Sequence, residues 1–174
     1  MKKIILFSVL ITLLSCKAQQ NQTATKKKGA DLIGFVNKAS FNEDPFSKWF
    51  DQEQKLYQTD SQTITSLKKK LKGIKIKGFL GTWCGDSRRE IPRFFKILDQ
   101  AGFKFKNLEL IAVNRNKKTP DNLQEGFNII RVPTFIFYKQ GKEVGRYVEY
   151  AKESLEKDML QIISEQPYKH VYEN

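Results

Sequence analysis

The chain has 174 residues, room for one folded domain once a leader and a polar stretch are set aside. With 40% hydrophobic residues, thirteen Phe and 29% charged residues it reads as a soluble globular body, which excludes a membrane bundle. The formal net charge is +12, yet no zinc-finger spacing or aromatic RNA-binding motif accompanies the lysines, so nucleic acid is not an expected partner.

Met1-Lys2-Lys3 followed by the apolar run Ile4 to Leu14 has the charged start and short apolar stretch of a secretory signal, and the run is too short to span a bilayer as a helix. Leu13-Leu14-Ser15-Cys16 resembles the lipobox of bacterial lipoproteins. That resemblance implies cleavage before Cys16, lipidation of Cys16, and an exported protein tied to a membrane of the bacterial cell envelope. Only Lys2 and Lys3 leave with the leader, so the mature chain keeps a charge of +10. Lys17 to Gly29 holds almost nothing that can enter a core and reads as a flexible tether. The expected division is residues 1–15 signal peptide, 16–40 lipidated cysteine and tether, and 41–174 folded domain.

Within that domain the spacing of Phe46, Trp49, Phe50, Leu56 and Tyr57 predicts a helix, with Asp44 and Pro45 as its N-cap and first residue. A second helix is predicted over Thr63 to Leu71, stopped by Gly73. Lys68, Lys69, Lys70, Lys72, Lys75 and Lys77 cluster around its end and read first as a solvated face, with anionic lipid or an acidic partner as alternatives. Ile74, Ile76 and Gly78 to Leu80 form a buried strand running into Trp83-Cys84. Ile91, Phe94, Phe95 and Leu98 mark the next helix, ending near Gly102, and Leu108 to Val113 is a second strand, which implies parallel pairing. Phe135 to Tyr138 and Glu143 to Val148, joined across Gln140-Gly141, read as an antiparallel hairpin, and Leu155, Met159, Ile162 and Ile163 as a last amphipathic helix.

The chain contains two cysteines and one histidine, His170, which leaves no internal disulfide framework, no Cys-His or Ser-His-Asp nucleophile system and no zinc site. Chemistry then rests on a thiol or on carboxylates, with no cofactor or metal expected. Cys84 sits at a strand-to-helix junction, where unpaired N–H groups and the positive end of the helix dipole favour a thiolate. Arg88 and Arg89 add positive charge there, and Asp86 opposes it.

Trp83-Cys84-Gly85, Pro92 on the following helix, Val132-Pro133-Thr134 before a strand, and the glycine-containing hairpin together resemble the thioredoxin superfamily, over about Thr63 to Gln166. The resemblance implies an α/β thioredoxin-like fold, a central mixed sheet flanked by helices, here with an N-terminal helical extension. It implies that Pro133 is cis and lies against Cys84, and that Trp83, Val132 and Pro133 shape the substrate groove, the backbone of Val132 pairing with the substrate chain. Arg89-Glu90-Ile91-Pro92 looks most like the membrane-tethered branch used in thiol-disulfide interchange and cytochrome maturation, whose acidic residue Glu90 matches; Glu90 is thus a candidate to tune the thiol or carry a proton.

Two departures define the expected chemistry. Ser87 stands where dithiol members have a second cysteine, and Gly78 stands where thioredoxins carry a buried aspartate. The expected activity is therefore monothiol: Cys84 attacks a disulfide or an oxidised thiol of a protein or small molecule, Ser87 and Arg88 or Arg89 support the thiolate, and an external reductant thiol completes the cycle. The competing reading is a redox-inactive binding or assembly module that keeps the groove alone.

Overall fold

The computed structural model describes residues 31–173; the signal, Cys16 and most of the expected tether lie outside the described residues. Five strands, β1 (Gly34–Val36), β2 (Ile74–Leu80), β3 (Leu108–Ala112), β4 (Thr134–Lys139) and β5 (Lys142–Val148), form one mixed sheet in the order β1-β3-β2-β4-β5. β2 and β3 run parallel, with Gly78 opposite Leu110; the other pairings are antiparallel. Four helices accompany the sheet: α1 (Phe46–Leu56), α2 (Ser61–Lys70), α3 (Gly85–Gln100) and α4 (Leu155–Ile163). The thioredoxin-like α/β architecture expected from the sequence is the one observed.

Strand alternation sorts the side chains onto two faces. Ile74, Ile76 and Leu80 of β2, Leu110 and Ala112 of β3, and Phe135 and Phe137 of β4 point into one large core with the buried faces of all four helices. There Phe94 of α3 stacks on Phe135 with ring centroids 3.9 Å apart, and Phe41, Phe46, Trp49, Phe50 and Phe95 make an aromatic cluster under α1. The opposite residues, Phe79, Ile111, Val113, Val132 and Ile136, form a small second cluster. It is covered by Leu123, Phe127 and Ile129, which lie on the turn-rich connection between β3 and β4, a stretch with no regular helix.

Two local expectations change. Residues 31–37 belong to the folded body: Leu32 is buried and β1 pairs with β3, so residues that the boundary drawn at 41 left in the tether lie within the fold. The helix α1 opens after a cis Asp44–Pro45 bond with Pro45 in the N-cap position, and the Asp44 carboxylate accepts from the Ser47 hydroxyl at 3.1 Å, leaving the helix N-terminus without a side-chain cap. Among the four α-helices the caps that do form are Asp60, accepting from Thr63 N–H at 2.7 Å, and Ser154, accepting from Lys157 N–H.

Candidate functional site

β2 ends at Leu80 and α3 begins at Gly85, so four residues turn the chain from sheet to helix and place Cys84 in the N-cap position with extended backbone (φ −91°, ψ 127°). The turn is held from several sides. Cys84 N–H donates to Gly81 O at 2.9 Å, and Arg88 N–H to Cys84 O at 3.0 Å. The Trp83 indole N–H donates to Val113 O at 2.8 Å while its ring packs against Gly81; a Cβ on Gly81 would stand 2.5 Å from Trp83 Cε2, which requires glycine there. The guanidinium of Arg115 covers the indole at 5.4 Å.

Cys84 is half-buried and is the free cysteine of the described residues. Its Sγ–H donates to the carbonyl oxygen of Val132 at 3.2 Å, and the Val132–Pro133 bond that follows is cis. Only the protonated thiol makes this contact, since a thiolate has no hydrogen to give a carbonyl. On the far side of Pro133, Glu149 N–H donates to Pro133 O at 2.8 Å from a left-handed backbone (φ +67°). Burial raises the Glu149 carboxyl above the usual range, and the Asp86 carboxylate adds to the shift.

The other expected site residues are engaged away from the sulfur. Ser87 is buried and its Oγ accepts from Gly81 N–H at 3.1 Å, so its observed bond braces the turn. Arg88 Nε donates to Thr82 O at 2.6 Å. Arg89 bridges two carboxylates, Asp86 at 2.8 Å and Glu90 at 2.6 Å; burial works against its charge, but those two partners outweigh it and raise the guanidinium. Neither arginine makes a hydrogen bond to the thiol, and Asp86 already holds one of them. Glu90 faces inward, buried, with Arg93 at 3.7 Å as a second cation. Tyr147, fully buried, has a hydroxyl without a hydrogen-bond partner; burial, then the Glu90 charge, raises it strongly.

Gly78, where the resemblance sets a buried aspartate, is enclosed by hydrocarbon. A Cβ there would lie 2.4 Å from Leu110 Cδ2 and 3.1 Å from Phe135 Cδ1, so hydrocarbon fills the space in which a carboxylate would stand.

Sequence reasoning missed Thr82. Buried between Gly81 and Trp83, its hydroxyl donates to Asp31 at 2.9 Å and accepts from Leu32 N–H at 3.1 Å, while its carbonyl takes Arg88. One residue thus ties the first described residues and α3 to the thiol turn. Its only sequence signal was a polar residue in an otherwise apolar strand end. Among the described residues no group of His, Cys, Asp or Glu is arranged to hold a metal ion.

Comparison with known proteins comes to the same stretch of chain. The family model described as Thioredoxin matches residues 55–161. A thioredoxin-like protein of Acanthamoeba polyphaga mimivirus is 30% identical over 97 residues, covering 56% of this chain and 68% of the relative. A thioredoxin of Arabidopsis thaliana is 29% identical over 89 residues, covering 51% of this chain and 62% of the relative, so about a third of each relative lies outside the match. Among solved structures, Fasciola hepatica thioredoxin aligns with a TM-score of 0.38 at 22% identity, covering 60% of this chain and 91% of that one. An oxidized A. thaliana thioredoxin aligns with a TM-score of 0.39 at 23% identity, covering 60% and 93%.

Proposed function

The chain belongs to the thioredoxin family, and from that premise we propose that it is an exported, lipid-anchored thiol-disulfide exchange protein of the bacterial envelope that works through Cys84 alone. The observation that carries the reading is the meeting of the Cys84 thiol with Val132 beside cis Pro133, at 3.2 Å. Export and anchoring rest on the leader and on Leu13-Leu14-Ser15-Cys16.

In the proposed cycle the Cys84 thiol loses its proton to solvent, gives up its bond to Val132 O, and attacks one sulfur of a disulfide. A bond forms between Cys84 and that sulfur, the old sulfur–sulfur bond breaks, and the second sulfur leaves as a thiolate that takes a proton. Ser87 has no sulfur to displace the adduct. A thiolate from an external reductant attacks the substrate sulfur of the mixed disulfide, and Cys84 is released as a thiolate. Trp83, Val132 and Pro133 line the approach to the sulfur, Ser87 keeps the turn in shape, and Arg88 and Arg89 act through the turn and through Asp86. Once the thiol lets go, the Val132 carbonyl is free to pair with a substrate backbone.

A second reading, a binding module without turnover, is favoured by Ser87, whose hydroxyl oxygen is held by Gly81 N–H and cannot resolve an adduct on Cys84. Trapping separates the two. Full-length protein isolated from oxidised cell envelopes is expected to carry reductant-sensitive adducts that vanish in Cys84→Ser. Adducts absent from both proteins, with Cys84 still alkylated by iodoacetamide, would leave the binding module. Membrane association is expected to be lost in Cys16→Ala, and retention there would sink the anchor.

A further inference from the structure

The end of the molecule opposite Cys84 carries an unusual surface. Lys68, Lys69 and Lys70 finish α2, Lys72 lies in the turn that follows, and Lys75 is the second residue of β2. Lys104 and Lys106 precede β3, which starts at the same end because it runs parallel to β2. Lys139 and Lys142 flank the turn between β4 and β5, with Lys139 directly opposite Ile74 at the start of β2. All nine are exposed. The acidic groups at this end are already engaged: Glu165 holds Lys139 at 2.5 Å and Asp99 holds Lys38 at 2.6 Å. Lys70 and Lys142 also act on Glu165, depressing its carboxyl after Lys139, so the lysines share one region of space.

A second observation sits among them. Phe105, between Lys104 and Lys106, is 39% exposed although it touches Phe95 and Phe103, a large aromatic ring at the surface of an otherwise lysine-covered end.

We propose that this end docks on an anionic lipid bilayer. Every basic residue in the cluster is a lysine. A lysine ammonium is a mobile, strongly hydrated point charge suited to a diffuse field of headgroups, whereas shaped carboxylate partners favour the forked geometry of arginine. An aromatic ring flanked by lysines is the composition of an interfacial anchor, the ring entering the headgroup layer while the ammonium groups meet phosphate. The seven residues of β2 span about 20 Å at about 3.3 Å per residue, so a body resting on this end holds Cys84 out in the aqueous space. The docking follows from charge and exposure and holds whether or not Cys16 is lipidated.

The test is sedimentation of the full-length protein with phosphatidylcholine vesicles and with mixed phosphatidylcholine–phosphatidylglycerol vesicles. The apolar leader contributes to both, so the difference isolates charge. Binding is expected to be stronger on the phosphatidylglycerol vesicles and to weaken when salt rises from about 0.1 M to about 1 M, which shortens the screening length from about 10 Å to about 3 Å. Replacing Lys68, Lys69, Lys70 and Lys72 together by Gln is expected to reduce that binding about tenfold or more. The same change at Lys48, Lys117, Lys118 and Lys152, exposed or partly exposed elsewhere, is expected to alter it by less than about threefold. Phe105→Ser is expected to reduce it about threefold or more by taking the ring out of the interface. Equal losses from the two lysine sets, or equal binding to both vesicle types, would overturn the proposal and leave the cluster to an acidic protein partner.

Discussion

The two faces of the sheet are built differently. One is packed by four helices into a continuous core of interlocked aromatic rings, and the other keeps five buried apolar residues under a turn-rich loop. The thiol belongs to the second: Trp83 and Cys84 pack against Phe79, Ile111, Val113, Val132 and Ile136. Helices supply the stability, while loops and turns supply the chemistry, because a loop can present backbone carbonyls such as Val132 O to a side chain where a helix would have used them internally.

The sharpest way to break this contrast is to weaken the helical face first. Phe94→Ala removes a fully buried ring stacked on Phe135 and is expected to cost about 3–5 kcal/mol in urea unfolding; a loss under about 1.5 kcal/mol would mean that this core refills itself. Gly78→Asp tests whether the face can host the carboxylate that other family members carry. Its Cβ would overlap Leu110, so about 2–4 kcal/mol of destabilisation is expected, and an unshifted midpoint would show that Leu110 and Phe135 yield readily. Phe127→Ala probes the loop-covered face. The ring is half-buried against Phe79, with centroids 5.3 Å apart, and under Lys77, so the expected cost is about 1 kcal/mol, with faster alkylation of Cys84 as the loop loosens. A cost equal to that of Phe94→Ala would erase the distinction between the faces.

The smallest effect is a pH dependence in the C-terminal tail, which reaches the rim of the loop-covered side where Arg131 lies over Tyr172. Burial lowers His170 below its ordinary value of 6.5, with Glu173 opposing and Arg146 assisting. The unfolded chain therefore binds this proton at higher pH than the folded one, and stability is lost as pH falls below 6.5. His170→Gln is expected to flatten the stability profile between about pH 7 and pH 5; an unchanged slope would place the titrating group elsewhere.

The sequence showed the main helices and strands because their apolar spacing is regular, while the nearness of Cys84, Val132 and Pro133 was implied only by the resemblance that their motifs carry. β1 stayed hidden: Gly34-Phe35-Val36 is too short for a period, and its partner β3 lies more than seventy residues away. The partners of Ser87, Arg88 and Arg89 were equally out of reach. Arg89 lies within reach of both Asp86 and Glu90, and nothing in a linear chain tells whether a guanidinium turns to a sulfur or to a carboxylate. The Asp44 cap failed for a related reason, since the N–H groups of Phe46 and Ser47 turn to the carbonyl of Glu43 instead.

The bond from Gly81 N–H to Ser87 Oγ bears on time. In a dithiol site the second sulfur is tethered beside the first at millimolar or higher effective concentration, so a covalent adduct dissolves on an internal clock. Here the matching atom is an alcohol oxygen already occupied by a backbone amide. In the proposed monothiol cycle an adduct on Cys84 lasts until another thiol arrives, and its lifetime tracks the thiol concentration outside, in the manner of a latch opened by its surroundings.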